Sequence, residues 1–143
     1  MAIDDQDRVV LVRQFRLAAG RVLTELPAGG LDRDDDGEVE DPLLAGKREL
    51  EEETGLRAGS WRPLARILSA PGFTEEEVHI FVATDLVAAG EGRLGPEDDE
   101  HLQVERMPFD EAVAAVERGE IVDSKSVIGL LWVDRERRGG AST

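Results

Sequence analysis

Nine consecutive residues, Arg48-Glu49-Leu50-Glu51-Glu52-Glu53-Thr54-Gly55-Leu56, carry the densest chemistry in this chain. On a helix Glu49, Glu52 and Glu53 stand at i, i+3 and i+4, so their side chains share one face. Three carboxylates that close repel one another unless a cation sits between them. A hard divalent cation with oxygen ligands answers that need, and Mg²⁺ also binds substrate phosphates. In isolation, the same run reads better as a solvated acidic face paired to Lys47 or Arg48, and only its flanking residues and spacing reverse that. A second acidic run, Asp32-Arg33-Asp34-Asp35-Asp36-Gly37, matches the opening of an EF-hand loop. The twelfth position of such a loop needs a bidentate Glu and is Leu43 here, and Leu26-Pro27-Ala28-Gly29 before it is no helix. A plain Asp/Gly turn is the better account.

The acid-rich segment needs a rigid mounting, and the flanking residues supply one. Asp41-Pro42 predicts a helix start, with Asp as N-cap and Pro in the first helical position. Leu43, Leu44 and Leu50 give that helix an apolar side, and Gly55 predicts its stop. Before it, Arg8 to Phe15 and Val22 to Leu26 read as strands, followed by a polar loop through Glu40. After it, Trp61 to Ser69 and Val78 to Asp85 read as two more strands. Val87 to Asp99 reads as a Gly-rich acidic loop and Leu102 to Met107 as an edge strand. Phe109 to Arg118 and Ser124 to Arg135 are helical in pattern, with Asp123 as N-cap of the second, and residues 136–143 are expected to fray. Strands and helices so mixed predict an α/β or α+β layer fold in one domain over residues 1–143.

Composition narrows the function. The 143 residues carry a net charge of −15, which argues against a nucleic-acid partner, since a phosphate backbone is captured by Lys/Arg patches. A small phosphate ligand remains compatible where metal ions reverse the local sign. Cysteine is absent, which excludes disulfides, thiolate metal sites and Cys nucleophiles. His79 and His101 are too few and too far apart for a His-based zinc site. No signal-peptide pattern opens the sequence and no apolar run is long enough to cross a membrane, so a cytoplasmic protein with no membrane partner is expected.

Together with the strand and loop before it, the acid-rich segment resembles the signature of the Nudix hydrolases. That signature is Gly, five residues, Glu, seven residues, then Arg-Glu-apolar-x-Glu-Glu-x-Gly-apolar. Glu40 and, after seven residues, Arg48-Glu49-Leu50-x-Glu52-Glu53-x-Gly55-Leu56 match its latter part. The signature Gly would fall at position 34, which is Asp34; Gly29 takes its place if a few residues are inserted within Asp32 to Val39. The resemblance covers nearly the whole chain and implies an α/β/α sandwich with a mixed β-sheet. It further implies metal-assisted hydrolysis of a nucleoside diphosphate linked to another group, with Mg²⁺ as cofactor and Mn²⁺ as the alternative. By the same resemblance Glu49, Glu52 and Glu53 are metal ligands, with Glu52 also catalytic, and Ala28 lends a backbone carbonyl. Arg48 orients a signature Glu by an ion pair, and Glu40 stabilises the loop and helix.

Within that family the chain is similar to the ADP-ribose pyrophosphatase branch. Pro71 stands sixteen residues after Gly55, Ser69 to Glu76 resembles the loop beyond the signature, and Gly119 to Asp123 the turn before the last helix. Glu97-Asp98-Asp99-Glu100-His101-Leu102 resembles the branch's acidic catalytic loop. The implied roles are Asp98, or Glu97 instead, as the base that activates water, and Glu100 as a metal-proximal carboxylate. Arg16 maps onto a phosphate-contacting Arg, and reads equally as a strand-end charge. Glu25 maps onto a contact to adenine or ribose, with a salt bridge in its own hairpin as the alternative. Glu76 approaches the terminal ribose. The products implied are AMP and a sugar phosphate, and the partner implied is a second copy in a homodimer. Typical members carry several tens of residues before the first strand, where this sequence begins at the catalytic domain. Two other readings stand beside this one: cleavage of a different nucleoside diphosphate derivative, and a Nudix-like domain that binds nucleotide without hydrolysing it.

Overall fold

A computed structural model describes residues 1–33, 36–90 and 102–140 of the protein. Six strands, β1 (Ala2–Ile3), β2 (Arg8–Arg16), β3 (Arg21–Glu25), β4 (Leu56–Leu68), β5 (Glu77–Ala88) and β6 (Gln103–Pro108), form one mixed sheet. Among the described residues three α-helices accompany it: α1 (Pro42–Thr54), α2 (Phe109–Glu117) and α3 (Ser124–Gly140). The sheet path runs β3-β2-β1-β5-β4, with β6 on β2. β1 and β5 are parallel, and every other pair is antiparallel.

β2 organises the sheet. Val9 and Val10 face β1 along one edge and β6 along the other, while Val12 and Arg13 pair with both β3 and β6. A strand has two edges, so β1 and β3 divide one edge of β2 between them while β6 takes the opposite one. The sheet therefore forks, with β3 on one prong and β1-β5-β4 on the other.

Successive side chains of a strand point to opposite faces, and β2 uses both. Val9 and Leu11 enter a core with Phe109, Ala112 and Val113 of α2 and with Leu130 and Val133 of α3. Val10 enters a second core with Leu50 of α1, Leu56, Ala83 and the flank of Trp61. Helices thus cover both faces, which is the α/β/α sandwich.

Several elements depart from the sequence-based expectation. β1 is too short to leave a hydrophobic pattern. β4 starts at Leu56, directly after the helix, because its residues 56–58 find partners in Leu86 to Ala88, beyond the expected end of β5. β4 also carries Pro63 in its interior, and the ladder slips between Pro63 and Ala65, as a residue without an N–H demands. The expected frayed tail is helical as far as Gly140. Arg138 pairs with Asp134 one turn earlier, while Arg137 bonds both carboxylate oxygens of Asp7 at 3.0 and 2.8 Å and lies 3.8 Å over the Phe109 ring.

Candidate active site

Local signals set α1 in place as expected. The Asp41 carboxylate accepts from the backbone N–H of Leu43 at 2.9 Å and of Leu44 at 3.2 Å, and Pro42 follows at the first turn. Gly55 ends the helix in the left-handed region at φ 69°, its N–H donating to the Glu51 carbonyl at 2.8 Å; glycine adopts that conformation without steric cost. Leu50 faces the core. The helical period then sorts the acids. Glu51 points to another side, where Arg57 grips both its oxygens at 2.6 and 2.7 Å, whereas Glu49, Glu52 and Glu53 lie toward the loop after β3.

Arg48 is the hub of that loop. It donates to Glu40 at 2.9 Å, to Glu49 at 2.7 Å, to Glu52 at 3.0 Å and to the Gly30 carbonyl at 3.1 Å, and Asp32 lies 3.3 Å away. The hydrogen bonds to Glu40 and Glu49 hold the guanidinium protonated far above its ordinary range, against the opposing effect of burial. Glu40 is held below the usual carboxylate range, first by its bond from Arg48 and also by the Asp32 N–H, although burial opposes both. The loop closes further through Glu40 N–H to the Asp32 carbonyl at 2.8 Å and Arg33 to the Gly37 carbonyl at 2.9 Å.

Of the residues expected to hold metal, Glu49 and Glu53 meet Ala28 at the Ala28-Gly29 turn. The Glu53 carboxylate accepts from the Ala28 N–H at 3.0 Å. The Glu49 carboxylate lies where a side chain at Gly29 would begin, so any Cβ there would overlap it. Glu52 stands one partner away, on Arg48. With Arg48 between Glu49 and Glu52, no three acidic or His side chains among the described residues are gathered into a closed metal cage. The available donors are nonetheless all oxygen, two carboxylates and the backbone of one turn with a third carboxylate beside them, which suits a hard divalent ion.

This turn forms one wall of a cavity of about 450 Å³ whose lining includes Arg16, Ala28, Gly29, Glu49, Glu76 and Lys125. It occupies the fork of the sheet, between the segment after β3 and the face of β5 from Val78 to Phe81. Trp61 and Phe81 meet edge-to-face at 6.3 Å on its floor. Arg16, Ala28, Glu49 and Glu76, all singled out from sequence, come together here; Glu76 sits exposed at the rim.

Glu25 is almost fully buried beside the same cavity. Arg16 donates to its two oxygens at 2.8 and 3.0 Å, and the Lys125 ammonium also bonds it. Of the two sequence readings of Glu25, the hairpin salt bridge is formed. Burial would push this carboxyl up, but the bonds and charges of Arg16 and Lys125 outweigh burial and leave it below its ordinary 4.5. Lys125, Asp123 and Ser126 were missed as site residues. The Leu26 N–H donates to the buried Ser126 hydroxyl at 2.7 Å, and Asp123 accepts from Lys125 at 2.9 Å and from the Ser126 N–H at 3.2 Å. The only sequence signal was Asp123 as a helix cap, because the contact joins segments a hundred residues apart. Glu97, Asp98 and Glu100 lie outside the described residues.

The family model described as "NUDIX domain" matches residues 1–128. The chain belongs to the Nudix family. An ADP-ribose pyrophosphatase of Mycobacterium tuberculosis is 39% identical over 141 residues, covering 99% of this chain and 66% of that protein. An ADP-ribose pyrophosphatase of Bacillus subtilis is 32% identical over 133 residues, covering 93% and 69%. The chain thus spans about two thirds of the length of these Nudix relatives. The crystal structure of an ADP compounds hydrolase superposes with a TM-score of 0.78 at 23% identity, covering 100% of this chain and 74% of that one, which establishes the Nudix fold. Among the described residues of this Nudix chain, no helix is long and apolar enough to cross a membrane.

Proposed function

We propose that this chain is a divalent-metal-dependent hydrolase of nucleoside diphosphate sugars, with ADP-ribose its best substrate and AMP and a sugar phosphate its products. The observation that carries this reading is the meeting of Glu49 and Glu53 with the Ala28-Gly29 turn in the wall of a cavity lined also by Arg16. The names of the two relatives support the substrate class. Glu49, Glu53, the Ala28 carbonyl, Glu52 and Glu100 would hold Mg²⁺, or Mn²⁺ in its place. Such ions neutralise pyrophosphate charge and acidify a bound water when present.

The chain's own groups do the rest. Arg16 binds a phosphate oxygen, for which a guanidinium is suited. Arg48 positions Glu49 and Glu52, and Glu76 contacts the sugar from the rim. Asp98, or Glu97 beside it, takes the proton of the attacking water. The water oxygen bonds to one phosphorus while the bridging P–O bond breaks, and the released phosphate leaves on the sugar.

The reading extends to a cytoplasmic homodimer. Phe15 and Val22 are register partners on β2 and β3, and both stand about half exposed with Leu17 nearby at 85%; a second copy would cover that patch. The chain's lack of cysteine removes any need for an oxidising compartment. The deciding experiment incubates purified protein and Mg²⁺ with a panel of nucleoside diphosphate sugars and scores AMP and its counterparts. ADP-ribose is expected to be cleaved fastest, with chelation abolishing turnover; no cleavage of any member overturns the proposal. Sedimentation of the same preparation tests the dimer.

A further inference from the structure

Lys125 lies in the cavity wall beside Arg16, far in sequence from the acid-rich helix. Its ammonium bonds Glu25 and, at 2.9 Å, Asp123. An ammonium has three N–H groups, and these two carboxylates take two of them. Arg16 has five, of which Glu25 takes two; the others have no partner among the described residues. Glu25 itself has little left to offer a ligand: three of its roughly four lone-pair sites accept from Arg16 and Lys125, and its side chain is only 3% exposed.

Charge gives this arrangement a purpose. The chain carries −15 overall, and Glu49, Glu76 and Glu77 line the same cavity. Among the described residues lining it, Arg16 and Lys125 are the only lysine or arginine side chains. A phosphorylated ligand entering so acidic a protein needs fixed positive charge at the point of contact. Both cations are already immobilised by Glu25, so little side-chain entropy is lost when a ligand binds them. The start of α3 is equally fixed, since the wholly buried Ser126 hydroxyl holds the Leu26 N–H at 2.7 Å.

We infer that Lys125 contacts the phosphoryl oxygens of a nucleoside diphosphate directly, and that Glu25 is a positioning residue that aims Lys125 and Arg16 rather than a ligand of substrate. The inference takes its ligand class from the function proposed above.

The test is calorimetric binding of ADP and of adenosine in chelator, so that neither metal nor turnover contributes. Lys125→Gln keeps an N–H for Glu25 but removes the charge. It is expected to weaken ADP about tenfold or more, the loss of one charged hydrogen bond, with adenosine unchanged. Lys125→Arg is expected to recover most of the ADP affinity. ADP affinity within about twofold of the parent in Lys125→Gln, or equal losses for ADP and adenosine, overturns the inference. Parallel turnover assays separate it from the proposed function. A parent protein that cleaves nucleotide sugars while Lys125→Gln binds ADP normally overturns only the role of Lys125. ADP binding that depends on Lys125 in a protein that cleaves nothing overturns only the hydrolase.

Discussion

The Glu53 carboxylate accepts a hydrogen bond from the Ala28 N–H at 3.0 Å, joining the last turn of α1 to the turn after β3 across 25 residues of sequence. Glutamine at position 53 retains an oxygen that can accept the same bond but loses the charge. Glu53→Gln is therefore expected to melt within a few degrees of the parent while turnover falls by about two orders of magnitude or more. Thermal unfolding and Mg²⁺-dependent AMP release on one preparation check it; full activity would remove Glu53 from the chemistry.

Gly29 and Gly30 make a matched pair. A Cβ at Gly29 overlaps the Glu49 carboxylate, whereas one at Gly30 meets open space. Gly29→Ala must push Glu49 away and is expected to lose most activity, with Gly30→Ala close to the parent. Equal activities of the two variants would show that Glu49 need not lie against the turn.

Arg48 spans Glu40, Glu49 and Glu52 with one planar group. Lysine keeps the charge but presents a single point of contact. Arg48→Lys is expected to cost about 1–3 kcal/mol, since hydrogen bonds between charged groups are lost in a half-buried setting. Turnover is expected to fall at least about tenfold as Glu49 and Glu52 lose their orientation. Denaturant midpoints and steady-state kinetics provide the check.

Glu25 gives a pH dependence with a definite sign. Its folded pKa lies below the unfolded value near 4.5, so its stabilisation is complete above about pH 4.5 and is lost as pH falls through the lowered folded value. Glu25→Gln is expected to be less stable than the parent by about 2 kcal/mol at pH 7, roughly 4–8 °C in Tm. That gap narrows as the pH is taken down below 4.5. A gap that widens on acidification would contradict the assignment.

What the sequence disclosed about this site follows how local its signals are. Asp41, Pro42 and Gly55 act within one turn of the helix they bound, and that helix was read correctly from them. The helical period separated Glu51, which ties down Arg57, from Glu49, Glu52 and Glu53 without any structure. β4 was read late because Arg57, Gly59 and Ser60 have no strand pattern of their own; their pairing comes from β5, some thirty residues on. Lys125 and Ser126 were invisible for the same reason, since they act on Glu25 and Leu26 from the far end of the chain. Sequence pattern found what a short segment does for itself, and missed what distant segments do for each other.

The fork in the sheet has a mechanical consequence. β3 and β5 are not hydrogen-bonded neighbours, so the space between them is not fixed by a strand ladder. Its width is set instead by side-chain and helix contacts, so a change in that width need break no sheet hydrogen bond. The Leu26 N–H on Ser126 and the Lys125 ammonium on Glu25 strap the β3 prong to the start of α3. Amide exchange at Leu26, slower when the cavity is filled, would register that change directly.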